Sequence, residues 1–80
     1  MKVKTAIIKR LMEICDKRHI KPNELATRSG VTPSTVYTLL SRKSNGMSVV
    51  TLKKLIDGLD LTLPEFFDAE IFRTLEQEIE

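Results

Sequence analysis

The chain reads as an all-α bundle of five or six helices, and three observations carry that reading. Apolar residues recur at helical spacing through most of the 80 residues. Three prolines each stand where a helix starts, rather than in a turn-rich pattern. No segment of useful length alternates apolar and polar residues with period two, so no strand is predicted.

The elements follow in order. Val3, Ile7, Leu11, Ile14 and Cys15 form a stripe, widened by Ile8 and Met12, which predicts a first helix over residues 3–18. His19 follows it in a left-handed turn. Pro22 suits the first position of a second helix, over 22–29, because its missing N–H is harmless there. Glu24 lies in that helix's first turn, a favourable place for a carboxylate. Gly30 closes it. Thr32 caps a third helix, over about 33–41, which Pro33 opens. Residues 41–48 form a polar loop, and 49–59 a fourth helix with Leu52, Leu55, Ile56 and Leu59 on one face. Thr62 and Glu65 make a capping box that starts a fifth helix, to which Phe66 and Phe67 add core bulk. Ile71, Phe72, Leu75 and Ile79 continue the helical spacing, so residues 69–80 are predicted as a C-terminal helical extension of the single domain 1–80.

Bulk properties narrow the function. Residues 1–54 hold 12 Lys/Arg against 3 Asp/Glu, net +9, while residues 55–80 hold 1 Arg against 8 Asp/Glu, net −7. Such a split suits a polyanion-facing surface on one part and a different task on the other. No apolar run approaches a membrane span, no signal peptide opens the chain, and the single Cys15 suits a reducing cytoplasm. Cys15, Asp16 and His19 are neighbours but too few to hold a metal. There is no paired nucleophile and base and no phosphate-cradling glycine loop. Neither an enzyme nor a cofactor or small-molecule ligand is expected.

Helices 2 and 3 carry a more specific pattern. Ala26, Gly30, Val36 and Leu39 are spaced as a helix-turn-helix needs: a small residue at the crossing, a glycine in the tight turn, and two apolar anchors for the second helix. Opposite the anchors lie Ser34, Thr38 and Ser41, flanked by Tyr37 and Arg42. A plain solvated face would more often carry Lys, Glu and Gln. Short hydroxyl side chains let a helix approach DNA closely and bond base edges, and Pro33, Tyr37 and Thr38 can touch thymine methyls. Backbone phosphates would be met by Lys21, Asn23, Arg28, Thr35, Ser41, Arg42, Lys43 and Ser44, with Lys9 or Arg10 as outliers.

These residues resemble the Xre family of Cro/repressor-type helix-turn-helix regulators. The likeness covers about residues 7–68 and rests on Glu24-Leu25-Ala26, Gly30-Val31-Thr32 with Ser34-Thr35-Val36, Thr51-Leu52 with Leu55 and Leu59, and Glu65-Phe66-Phe67. It implies a five-helix fold of the lambda-repressor-like DNA-binding type with helix 3 as recognition helix. It further implies that Ser34 and Thr38 read bases, that Lys21 to Asn23 approach a phosphate, and that Ser41 to Ser44 track the backbone. The chain departs from the family pattern at Lys21, where Ser or Thr is frequent, at Arg42 for Gly, at Met47 for Pro, and at Asp60, where a helix-ending Gly is usual.

Together these readings predict a transcriptional regulator, a repressor, that binds double-stranded DNA sequence-specifically as a homodimer on a symmetric site. The stripe of Ile71, Phe72, Leu75 and Ile79 pairs two subunits, folds back on its own core, or does both. The alternative function is a protein-interaction module, an antitoxin or adaptor, that uses the acidic C-terminal helix.

Overall fold

The computed structural model of the chain describes residues 1–41 and 47–79, and shows five α-helices and one 3-10 turn with no strand among them. The helices are α1 (Val3–Arg18), α2 (Pro22–Ser29), α3 (Pro33–Leu40), α4 (Val49–Gly58) and α5 (Leu63–Phe67), followed by the 3-10 turn Glu70–Phe72.

Local chemistry sets the boundaries. His19 ends α1 in the left-handed region at φ 57°. Gly30 ends α2 at φ 70°, where a Cβ would be strained, and its turn is closed by the Val31 N–H donating to the Ala26 carbonyl at 3.1 Å. Asp60 takes φ 57° at the close of α4, the role a glycine would fill. Thr32, Ser48 and Thr62 each accept the N3 backbone N–H of the helix they precede. Thr62 and Glu65 complete the expected capping box, the Glu65 carboxylate accepting the Thr62 N–H at 2.9 Å.

The core is one cluster. Ile7, Leu11 and Ile14 of α1 meet Leu25 and Ala26 of α2, Val36 and Leu39 of α3, Leu52, Leu55 and Ile56 of α4, then Leu59, Ile20 and Phe66. Burying each of these side chains except that of Ala26 contributes about 1.5–3 kcal/mol. Met12, placed in the α1 stripe by spacing, is 51% exposed instead. The tightest seam joins α2 to α4. Gly58 packs so closely on Ser29 that a Cβ there would meet the Ser29 hydroxyl and stand 3.1 Å from its Cα. Ser29 Oγ is buried and has no hydrogen-bond partner among the described residues.

Two arginines of α1 tie the other helices down by their open C-terminal carbonyls. Arg10 donates from Nε to the Phe66 carbonyl (2.8 Å) and from NH2 to that of Glu65 (3.1 Å), so it closes α5. Arg18 donates to the Leu59 carbonyl at the end of α4. This corrects the reading of Arg10 as an outlying phosphate contact, because its guanidinium is spent inside the domain.

The C-terminal segment departs from expectation. The spacing of Ile71, Leu75 and Ile79 suggests an α-helix, but the described chain makes one 3-10 turn and then runs on without helix. Phe72 is drawn onto the core, its ring centroid 4.8 Å from that of Phe67 and 6.0 Å from that of Phe66. Beyond it the acidic tail lies along the start of α1. Glu76 N–H donates to the Met1 carbonyl (3.1 Å), Lys2 Nζ donates to the Gln77 carbonyl (2.8 Å), and Val3 N–H donates to the Glu78 carboxylate (3.3 Å). Lys2 offers α1 no side-chain cap, so Glu78 supplies the negative charge that a helix N-terminus favours.

Candidate nucleic-acid interface

The residues predicted to read bases form one open edge. Val36 and Leu39 hold α3 to the core, buried to 1% and 8% exposure. With that face fixed, Pro33, Ser34, Tyr37 and Thr38 are all exposed, Tyr37 at 54%. A helix of eight residues thus presents hydroxyls and one aromatic ring outward. The first turn is ordered by hydroxyls. Thr32 Oγ1 accepts the Thr35 N–H (3.3 Å) and lies 3.1 Å from Ser34 Oγ and 2.8 Å from Thr35 Oγ1.

The predicted phosphate contacts divide. Lys21 and Asn23 are exposed at the start of α2, and Lys21 makes no side-chain cap bond, so the first amides of α2 are open to an anion. Arg28 pairs with Glu24 one turn back at 3.2 Å. Both groups are well exposed, and such a pair is worth about 0–1 kcal/mol, so a phosphate can displace the carboxylate. Thr35 is half-buried with its hydroxyl on Thr32, turned toward its own helix cap. Ser41 is half-buried at the end of α3, its N–H shared between the Tyr37 and Thr38 carbonyls. Arg42, Lys43 and Ser44 lie outside the described residues.

Neither the lone cysteine nor a metal-type cluster among the described residues offers a second site. Burial, and next the neighbouring Asp16 charge, push the Cys15 thiol above its ordinary value, so it stays protonated and poorly nucleophilic. No group of His, Cys, Asp and Glu that would suit a metal ion occurs among the described residues, and no described helix is long and apolar enough to cross a membrane.

The comparison with protein families decides the class. The family model of the Cro/C1-type HTH DNA-binding domain matches residues 10–70, from the middle of α1 to the 3-10 turn. The chain belongs to this family. No curated protein and no solved structure matches it. Membership agrees with the Xre-type resemblance and with the helical fold, and it makes α2 and α3 the helix-turn-helix of a DNA-binding domain. Sequence reasoning missed the Arg10 and Arg18 caps and the Gly58–Ser29 seam, which hold α4 and α5 behind that unit. A glycine inside a helical stretch was the one available sign of the seam.

Proposed function

We propose that the protein is a small transcriptional regulator, a repressor, that binds double-stranded DNA sequence-specifically with α3 in the major groove. The carrying observation is the exposed edge of Pro33, Ser34, Tyr37 and Thr38 on a helix anchored from behind by Val36 and Leu39. Short side chains let the α3 backbone approach base edges, and the uncapped start of α2 with Lys21 and Asn23 receives a phosphate. Phosphate contacts supply most of the affinity. Base reading is modest, since α3 carries no Asn, Gln or Arg within its eight residues.

Modest reading per subunit favours two copies on a symmetric site. Of the residues predicted at a dimer contact, Phe72 is committed to its own core, Ile71 and Leu75 are half-buried, and Ile79 is 86% exposed. Leu75 and Ile79 therefore make the subunit contact in this reading. Analytical ultracentrifugation tests it: the protein sediments as a dimer and an Ile79→Glu variant as a monomer, and equal masses exclude this contact. The alternative, an interaction module such as an antitoxin or adaptor, would use an acidic C-terminal helix. The described residues beyond Phe72 form none, which favours the DNA-binding reading over it.

Selection of bound fragments from a random duplex pool tests the main proposal. A defined sequence should be enriched, and Ser34→Glu with Thr38→Glu should abolish binding while the helical circular dichroism is unchanged. Binding untouched by those substitutions removes α3 from the account. In cells, a promoter carrying the enriched site should be silenced by the protein; activation would refute the repressor role.

A further inference from the structure

An open groove of about 570 Å³ runs along α1 to the end of α3, and none of Pro33, Ser34, Tyr37 and Thr38 lines it. Its apolar wall is Ile8 and Met12 of α1 with Leu40 of α3, and Met1, Lys4 and Lys9 stand around that wall. Met12 lies in the apolar stripe of α1 yet is 51% exposed. None of the groove's described lining residues is acidic. Lys9 is exposed and makes no ion pair among the described residues. Such a groove is complementary to an apolar side chain that has a carboxylate beside it.

The tail of the chain has that chemistry. Ile79 follows Glu76 and Glu78, and it is 86% exposed. Three ties hold the residues before it against the start of α1: Glu76 N–H on the Met1 carbonyl, Lys2 on the Gln77 carbonyl, and Val3 N–H on the Glu78 carboxylate. The Glu76 carboxylate also pairs with the Met1 amine at 3.3 Å. Met1 is one wall of the groove, so these ties bring the tail to the groove's end. Ile79 nevertheless stays outside and lines no part of it. An exposed apolar side chain and an exposed apolar groove thus lie close together on one molecule without meeting. A two-fold axis beside the start of α1 would let each meet its complement on a second copy, twice over.

We propose that the groove of Ile8, Met12 and Leu40 is the other half of the subunit contact: it receives Ile79 from a second copy of the chain, with Glu78 of that copy facing Lys9. The inference rests on the reading that the tail pairs two subunits, and it adds the surface on which the tail lands. Two reciprocal contacts of this kind close a dimer and leave the outward edge of α3 uncovered on both copies.

The test uses the full chain. Met12→Glu changes an exposed residue to one of similar helix propensity, so the fold should survive, as helical circular dichroism checks. Sedimentation over a range of concentrations should show its dimer dissociating about tenfold or more easily than that of wild type, as Ile79→Glu does. Cysteine pairing then reads the contact itself, with Cys15→Ser in every chain so that the native thiol cannot compete. Chains carrying Met12→Cys alone are mixed with chains carrying Ile79→Cys alone and oxidised with copper phenanthroline. The mixture should give a disulfide-linked dimer well above the yield of either variant by itself. If Ile79→Glu is monomeric while Met12→Glu stays dimeric and the mixture gives no excess, the groove is overturned and the tail contact stands. A disulfide that closes within one chain, in a protein carrying both cysteines, also overturns it, since Ile79 then occupies its own groove. If wild type is a monomer, or Ile79→Glu remains a dimer, both readings fall.

Discussion

Substituting alanine for Gly58 sets two opposed effects against each other, and the structure decides between them. On a solvated helix the change would stabilise by about 1 kcal/mol, since glycine is the poorer helix former. In α4 the new methyl would land on the Ser29 hydroxyl and 3.1 Å from both Ser29 Cα and Cβ. Rotating the Ser29 side chain relieves only the hydroxyl; the backbone contact remains, so α2 and α4 must part. That seam carries Leu25 and Ala26 against Leu55 and Ile56, all buried to 1% exposure or less. Overpacking of this kind costs about 1–3 kcal/mol, and contact with a backbone atom that cannot rotate away puts it in the upper part of that range, about 2–3 kcal/mol, which exceeds the propensity gain. Gly58→Ala should therefore lose about 1–2 kcal/mol in urea denaturation and lower Tm by roughly 4–15 °C. Ser29→Ala alone should be close to neutral, because it removes a buried hydroxyl with no partner. In the Ser29→Ala background the Gly58→Ala penalty should shrink by about half. A Gly58→Ala protein as stable as wild type would refute the close-approach reasoning.

Three further outcomes are open to measurement. Arg10→Met strips two carbonyl caps from the end of α5 and should cost about 2 kcal/mol by urea titration, with Arg10→Lys recovering only part, since an ammonium does not span both oxygens. The Thr62 backbone and side-chain hydrogen bonds hold the Glu65 carboxyl below its ordinary value of 4.5, so its contribution is complete above that pH and is lost as pH falls through the lowered folded value; Glu65→Gln should flatten the fall in urea midpoint between pH 5 and pH 3 that wild type shows. Measured at a concentration where the protein is monomeric, ending the chain after Thr74 removes the exposed polar contacts to Met1–Val3 and half-buried Leu75 and should cost about 1 kcal/mol, whereas ending it after Asp68 also strips Phe72 from its ring cluster and should cost about 2–3 kcal/mol more.

The recognition unit was legible because its determinants are local. Pro22, Gly30, Thr32 and Pro33 each act within a turn of themselves, through a fixed φ, a tolerated left-handed φ or a cap bond. The left-handed His19 and Asp60 and the Thr62–Glu65 box were readable for the same reason. What stayed hidden depends on which distant residues meet. Nothing near Arg10 in sequence reveals that Phe66 and Glu65 will offer it carbonyls, and nothing near Gly58 announces Ser29. The tail misled because Ile71, Leu75 and Ile79 keep helical spacing, while the draw of Phe72 to its ring cluster and of Glu76, Gln77 and Glu78 to Met1–Val3 was worth more than a short isolated helix. Of the candidate site, the outward edge of α3 and the start of α2 are exposed, and Thr35 faces its own cap.

A salt titration of duplex binding addresses the central claim most directly. Fluorescence anisotropy with the enriched duplex, repeated from low to moderate salt, should give log K falling against log salt with a slope of about −3 per bound subunit, as three or four phosphates are neutralised. The same titration with a scrambled duplex should show a similar slope at lower affinity. Absence of a complex at low ionic strength, or a slope near zero, would contradict a groove-reading α3 flanked by phosphate contacts.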